Sequence, residues 1–279
     1  MNPLRTEIEA ALAAAGCSAL HRFGQHFMVD EHALAAIAGA AGPRTVEIGP
    51  GTGILTRRLL ASGGPVLAVE IDHGLAKWLR TTLVPAGLEL VEGDCLAAKD
   101  RLHPAIEAFA AAGPWSLCAN LPYDVAIPAI LNACALPRPP LRIMVTVQWE
   151  CAVRLGSAPG DDGWGASAAV LRACGRARIL RRLPPGCFLP PPRVDSAILL
   201  VEPERPLPAG FPMWCRQVFA YRRKVLVRAL RDAGATRDGA ERACAAAGLD
   251  PGRRIENLDS PELIALHAAT VAPCPASPP

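Results

Sequence analysis

The sequence predicts an α/β fold: a mostly parallel sheet covered by helices on both faces, followed by a small all-helical domain. Three observations predict it. From Thr45 onward, short apolar runs alternate with helical patterns, as βαβ units do. The first unit is a strand, a glycine-rich turn and a helix in direct succession, Thr45–Ile48, Gly49–Gly53 and Ile54–Leu60. The proline-rich stretch Pro203–Pro208 then breaks the alternation, and only helical spacing follows it.

Taken in order, Met1–Leu20 reads as an Ala-rich helix ending near Gly16. His21–Asp30 is irregular and dense in polar and aromatic groups, and Glu31–Ala41 is helical again, closed by Gly42-Pro43. Thr45-Val46-Glu47-Ile48 is an apolar run with one acid, suited to a buried strand. In the turn Gly49-Pro50-Gly51-Thr52-Gly53, a side chain at the glycines would keep the backbone away from a ligand. The helix behind the turn points free N–H groups at whatever binds. This spacing lacks the G-x-G-x-x-G step that receives a pyrophosphate. A ligand without phosphates, such as S-adenosylmethionine, fits at least as well, and plain packing is the competing explanation.

Val66–Ile71 is the second strand. Glu70 lies 21 positions after Gly49, which places its carboxylate at the end of the neighbouring strand, where a ribose diol can donate to it. Leu88–Asp94 is the third strand; Asp94 can accept from an adenine amino group or cap a helix. Trp115–Ala119 is the fourth and leads into Asn120-Leu121-Pro122-Tyr123. Leu141–Gln148 is the fifth, with Ile143, Val145 and Val147 on one face, and Ala177–Arg182 and Ser196–Val201 are the last two. Phe211–Asp232, Arg237–Ala247 and Pro261–Thr270 read as helices. The expected domains are therefore 1–203 for ligand binding, 204–271 for the helices, and a disordered tail, 272–279.

The chain has 279 residues, of which 51% are apolar, enough for a full core. Residues 1–140 carry ten basic and thirteen acidic side chains, a net −3; residues 141–279 carry nineteen and thirteen, a net +6. A basic second half suggests a polyanionic partner. The ten cysteines lie at least 13 positions apart, so no C-x-x-C pair is present for zinc or redox work and no metal is expected. Unpatterned thiols read as small buried hydrophobes in a reducing compartment. No run of eighteen apolar residues is present, so no membrane span is expected. Leu12–Cys17 imitates a lipoprotein signal, but Glu7 and Glu9 precede it and its apolar core is short. A cytoplasmic location is expected, and no coiled coil or long apolar edge suggests a dimer.

The tetrapeptide Asn120-Leu121-Pro122-Tyr123 carries the chemistry. An exocyclic base amine is a poor nucleophile because its lone pair is delocalised into the ring. Neutral acceptors can hold its hydrogens so that the lone pair turns toward an electrophile; the Asn120 side-chain carbonyl and the Leu121 backbone carbonyl suit this. Pro122 stiffens the backbone and removes a competing N–H. Tyr123 offers a ring for the base to stack on. Placing the amine in line with a sulfonium methyl about 3 Å away supplies much of the rate without a general base. Phe188-Leu189-Pro190-Pro191-Pro192 puts an aromatic before a stiff loop, which suits a second face of a base sandwich or a loop packed over a core Phe. Lys224, Arg228 and Arg231 recur at i, i+4, i+7, and Arg172, Arg176, Arg178, Arg181 and Arg182 crowd a second region; both suit phosphate contacts.

Five blocks stand in order: Phe23–Phe27, Val46–Gly53, Asn120–Tyr123, Phe188–Ala197 and Arg222-Arg223-Lys224. From about Phe23 to Leu263 the chain resembles the small-subunit (16S) ribosomal RNA adenine N6-dimethyltransferases. The resemblance implies a Rossmann-like class I methyltransferase sheet of seven strands, the last antiparallel, with a small C-terminal all-α domain. It implies S-adenosylmethionine contacts at His26, Met28, Gly49, Gly51, Glu70, Ile71, Asp94, Cys95 and Asn120. Asn120, Leu121, Tyr123 and Phe188 would hold the flipped adenine, and Arg222, Arg223, Lys224, Arg228 and Arg231 the RNA. The implied reaction is transfer of two methyl groups to N6 of each of two adjacent adenosines near the 3′ end of small-subunit rRNA, late in assembly of the small ribosomal subunit. Three positions depart from the family's pattern: His26 where Asn is frequent, Trp149 where Lys is common, and Asp124 where Asn is frequent. Two other readings share the fold: a large-subunit rRNA methyltransferase of the antibiotic-resistance type, and a non-catalytic ribosome-assembly factor. The Phe188–Asp195 and Arg222–Lys224 blocks argue against the first. The presence of Glu70, Asp94, Asn120 and Tyr123 argues against the second.

Overall fold

The computed structural model describes residues 2–17 and 25–271. Phe23 and Gly24 of the first block, and the tail 272–279, lie outside the described residues. The chain divides into two compact units, one of residues 1–153 with 175–206 and one of residues 154–174 with 207–279.

The first unit is built on a seven-stranded sheet. In chain order its strands are β1 (Thr45–Ile48), β2 (Val66–Glu70), β3 (Leu88–Glu92), β4 (Ser116–Asn120), β5 (Arg142–Gln148), β6 (Gly175–Leu183) and β7 (Ser196–Pro203). They lie side by side as β3-β2-β1-β4-β5-β7-β6. The first five are parallel; β7 runs antiparallel between β5 and β6. β1, β2 and most of β4 are buried throughout, which is why they read as continuous apolar runs. The helices of this unit are α1 (Pro3–Ala15), α2 (Glu31–Ala38), α3 (Ile54–Leu60), α4 (His73–Thr82), α5 (Pro104–Ala111) and α6 (Tyr123–Ala135), and α7 (Trp149–Gly156) begins in it. Gly16 ends α1 in the left-handed region at φ 64°, the conformation that favours glycine at a helix end.

A segment missed in the sequence ties the N-terminal region to the sheet unit. Phe27–Met28 forms a two-residue antiparallel pair with Phe188–Leu189. Beyond it, the Asp30 carboxylate caps α2 by accepting from the Ala33 N–H at 2.8 Å. It also takes both guanidinium nitrogens of Arg181, on β6, at 2.9 and 2.8 Å. Arg181 reaches Asp30 after an irregularity in the ladder: Ile198 pairs with Arg181 and Leu199 with Ile179, so Leu180 is skipped.

The second unit holds the end of α7, α8 (Ala166–Cys174), α9 (Phe211–Phe219), α10 (Leu226–Asp232), α11 (Arg237–Ala246) and α12 (Ser260–Val271). Its core includes Trp164, Phe211, Leu226, Ile255, Leu263 and Leu266. Sequence reading placed Arg154–Cys174 with the sheet, but this segment groups with the helices: the Ser260 hydroxyl donates to Ala169 C=O at 3.3 Å and Arg222 to Trp164 C=O at 3.0 Å. The expected helix Phe211–Asp232 is two helices. Val225 is extended and bridges Arg254, and the Leu226 N–H donates to Arg253 C=O at 2.8 Å. That tertiary pairing overrides the helical spacing. Arg222-Arg223-Lys224 therefore stands on a turn, and Lys224 is not on the helix that carries Arg228 and Arg231.

Asp30→Ala is expected to destabilise the sheet unit by about 1–2 kcal/mol, the usual cost of losing a helix cap. Asp30→Asn, which keeps the cap oxygen and loses the ion pair, should lose less than half as much. Urea unfolding of the three proteins checks this; equal losses would assign the effect to Arg181 instead.

Candidate functional site

A cavity of about 220 Å³ opens at the carboxyl ends of β1 to β4, where the strand order reverses between β1 and β4. Ten of the expected site residues line it: His26, Gly49, Gly51, Glu70, Ile71, Asp94, Cys95, Asn120, Leu121 and Tyr123.

The glycine turn forms its floor. Gly51 sits at φ 59°, and a Cβ there would lie 2.8 Å from the Phe27 ring. Both the conformation and the space thus require glycine. The Gly51 N–H donates to Glu70 Oε2 at 2.9 Å, and the Asp72 N–H to Glu70 Oε1 at 2.9 Å. Each carboxylate oxygen keeps a lone-pair site for a further donor. Burial pushes the Glu70 pKa up, against the pull of these N–H groups. At the end of β3, Asp94 Oδ1 accepts from the Leu96 N–H at 2.9 Å, so it braces its own turn rather than capping a helix. Ile71 is 47% exposed although it lines the cavity, an apolar surface ready for a flat ring.

The tetrapeptide end is held by a knot of hydrogen bonds. Asn120 Nδ2 donates to His26 C=O at 2.7 Å, and the Thr146 hydroxyl donates to Asn120 Oδ1. Thr146 faces Asn120 in register across β4 and β5. A backbone carbonyl only accepts, so the amide must present nitrogen to His26 and oxygen to Thr146, leaving one lone pair of Oδ1 for a ligand. Tyr123 opens α6, and its hydroxyl lies 2.8 Å from Ser196 Oγ. Asp124 lies in the first turn of α6, where its charge favours the helix dipole. The His26 ring stacks on Tyr123, centroids 5.7 Å apart at 29°. Its Nδ1 is 2.8 Å from Pro190 C=O and therefore carries the proton, which leaves Nε2 an acceptor in the neutral ring.

Two expected residues stand elsewhere. Met28 lines a smaller adjoining cavity with Phe27, Glu47, Gly49, Thr52 and Asn120. Phe188 is 2% exposed within the apolar core, paired with Met28, and does not line the larger cavity. The stiff loop thus packs over a core Phe here, and His26 is the aromatic beside Tyr123. Sequence reading passed over Thr146; its signal was a hydroxyl facing inward on an otherwise apolar strand.

Electrostatics restrict the ligand. The lining includes Glu70, Asp94 and Asp124 and, among the described residues, no Lys or Arg. Such a site favours a cation and repels phosphates. Glu47, on β1, is 1% exposed, and its Oε2 has no hydrogen-bond partner. Burial first, with the Glu70 charge adding to it, pushes its pKa up to about 8. Thr56 opposes this more than the Glu70 charge adds to it, yet Thr56 Oγ1 completes no well-formed bond. The thiols do not offer a nucleophile: burial pushes Cys95 and Cys118 up to about 12.

The basic groups are less available than their spacing suggested. On β6 and its surroundings, Arg176 pairs with Glu204, Arg178 with Glu202, Arg181 with Asp30 and Arg182 with Asp195. Arg172 donates to Ser157 C=O at 2.9 Å. In the helical unit Lys224 and Arg228 share Asp232, whereas Arg223 and Arg231 are exposed and make no ion pair among the described residues. No helix among the described residues is long and apolar enough to cross a membrane, and they hold no cluster of three or more potential metal ligands.

The strand order with its antiparallel final strand, and the acidic pocket at the switch point, define a Rossmann-like class I methyltransferase domain. Two solved structures share the fold. A dimethyladenosine transferase from Plasmodium falciparum superposes with a TM-score of 0.67 at 20% identity, covering 86% of this chain and 96% of that one. The 23S rRNA methyltransferase ErmE superposes at 0.60 and 24% identity, covering 87% and 98%. The sequence model of the ribosomal RNA adenine dimethylase family matches residues 17–266, and the chain belongs to that family. It is 37% identical over 259 residues to the ribosomal RNA small subunit methyltransferase A of Thermosynechococcus vestitus, covering 88% of this chain and 94% of that one. It is 35% identical over 275 residues to the same-named protein of Phenylobacterium zucineum, covering 95% and 93%.

The raised Glu47 pKa has a defined sign. The folded chain holds a proton that the unfolded chain releases near 4.5. Stability therefore falls as pH rises from about 4.5 toward 8, and Glu70 acts in the same direction. Glu47→Gln is expected to make that decline shallower and the protein more stable than wild type at pH 8, measured by urea unfolding across pH 5–9. An equally steep decline in the variant would contradict the assignment.

Proposed function

We propose that this chain is an S-adenosylmethionine-dependent rRNA adenine N6-dimethyltransferase. It acts on two adjacent adenosines near the 3′ end of small-subunit rRNA within the assembling small ribosomal subunit, as a cytoplasmic monomer that needs no metal. Family membership and the similarity to proteins named for the small subunit support this. The observation that carries the chemistry is the Asn120 amide, fixed by His26 and Thr146 with one oxygen lone pair turned to the pocket.

The residues present fit the cofactor. Glycine is required at Gly51 to leave room beside Phe27. Glu70 keeps acceptor capacity for a ribose diol, and Asp94 Oδ2 for an adenine amine. The orphaned Glu47 Oε2, beside Gly49 and Asn120, has an open position for a hydrogen-bonding end of the ligand. When bound, S-adenosylmethionine supplies a methyl group made electrophilic by its sulfonium. Asn120 Oδ1 and Leu121 C=O accept the hydrogens of the adenine amine and turn its lone pair outward. Tyr123 presents its ring, held by Ser196, to one face of the base. The work is positioning rather than proton abstraction. Arg222, Arg223, Lys224, Arg228 and Arg231 contribute phosphate contacts from the helical unit, chiefly through Arg223 and Arg231, which have no competing carboxylate.

The test is transfer of labelled methyl from S-adenosylmethionine to unmethylated small ribosomal subunits, with digestion of the RNA to nucleosides. Wild type should yield N6,N6-dimethyladenosine, and Asn120→Ala should be slower by about a hundredfold or more, the scale of losing a preorganised polar group. Label only in large-subunit RNA would move the protein to the resistance-type reading. Tight subunit binding without transfer would make it an assembly factor.

A further inference from the structure

Trp149 is the first residue of α7, directly after β5, and is partly exposed. Its surroundings connect it to the base end of the pocket. Tyr123 is held by Ser196, Ser196 pairs in register with Gln148, and the Trp149 N–H donates to Asp195 C=O at 2.9 Å. From strand spacing and the rise per residue, the Trp149 backbone lies about 6 Å from that of Ser196, close enough for neighbouring nucleotides of one strand to meet both. The Arg182 guanidinium sits 4.6 Å from the centre of the Trp149 ring. It is oriented there by an ion pair with Asp195 at 2.6 Å. The loop between carries exposed Arg193 and Val194, the latter 37% exposed.

The Trp149 indole, backed by a cation, stands next to the register partner of Ser196, which holds Tyr123, a ring that lines the candidate base site with His26. The neighbouring arginines of β6 are paired with acids, which weakens their point-charge attraction, and the ring offers a nucleotide a contact that does not depend on charge. We propose that Trp149, with Arg182 laid on its ring, is a stacking platform for the nucleotide next to the adenosine that enters at Tyr123. This rests on the rRNA reading above and adds to it a second base contact, one that tolerates any base because every base has a π-face. Its affinity is insensitive to salt, unlike a phosphate contact.

The test uses the full chain, unmethylated small ribosomal subunits and a salt series from roughly 50 to 200 mM. KM and kcat for methyl transfer, with the cofactor Kd beside them, are compared for wild type, Trp149→Ala, Trp149→Phe and Trp149→Lys. Trp149→Ala is expected to raise KM for subunits about tenfold, within the range for losing one base–aromatic stack. Its kcat, cofactor Kd and salt slope should match wild type. Trp149→Phe should recover most of the loss. Trp149→Lys should recover it only at low salt, with a log–log slope steeper by about 0.7–0.9 for one added phosphate contact. An unchanged KM in Trp149→Ala overturns the proposal. So does a loss that Phe does not restore, because that would be a packing defect; if Trp149→Ala fails to fold, the Phe and Lys variants still decide. Absence of methyl transfer by wild type would overturn the rRNA reading itself, and this proposal with it.

Discussion

The arrangement depends on one side-chain amide. Asn120 ends β4, donates to the backbone of the N-terminal segment at His26, and accepts from Thr146 on the neighbouring strand. Three pieces of chain, two of them paired strands, meet at it. The His26 ring then reaches Pro190 and stacks on Tyr123, and Phe27–Met28 pairs with Phe188–Leu189. Asn120 is only partly buried, so the fixed amide remains accessible from the pocket. An unconstrained amide would rotate between two orientations that present opposite chemistry to a base. Here the carbonyl of His26, which only accepts, excludes one of them, and the hydroxyl of Thr146 holds the oxygen in the other.

A second constraint is the concentration of negative charge around a site that holds no Lys or Arg among the described residues. Glu70 stands on the strand next to Glu47, and repulsion between its charge and an ionised Glu47 adds to the burial that holds the Glu47 proton. A positively charged ligand relieves that repulsion; a pyrophosphate would aggravate it. The missing third step of the dinucleotide glycine pattern and the acidic lining therefore point to the same class of ligand by separate physical arguments.

Much of this was legible in the sequence because it rests on local pattern. β1, β2, β4 and β5 are short apolar runs, the glycine turn interrupts one of them, and Glu70, Asp94 and Asn120 each end a strand. Parallel strands put such ends together at one edge of the sheet. What was illegible rests on pairing between distant segments. Thr146 acquires its role only through its register with Asn120. The helix expected at Phe211–Asp232 is broken by a bridge to Arg254, which no local signal announces. The arginines of β6 looked like an RNA-binding cluster because their partners, Asp30, Asp195, Glu202 and Glu204, lie on other elements. Phe188, one of two candidate stacking rings, is drawn into the core by the strand pair with Met28.

The central claim is that a fixed neutral amide, rather than a base, prepares the adenine amine. Thr146→Val replaces the hydroxyl that holds Asn120 Oδ1 in place with a methyl of similar size. The most direct measurement is single-turnover methyl transfer by this variant on unmethylated small subunits, with cofactor Kd beside it. The account predicts a rate lower by about tenfold or more with the cofactor Kd unchanged, since misplacing a positioned group costs rate rather than ground-state binding. A wild-type rate in Thr146→Val would contradict it, because the amine would then be prepared without a firmly held amide oxygen.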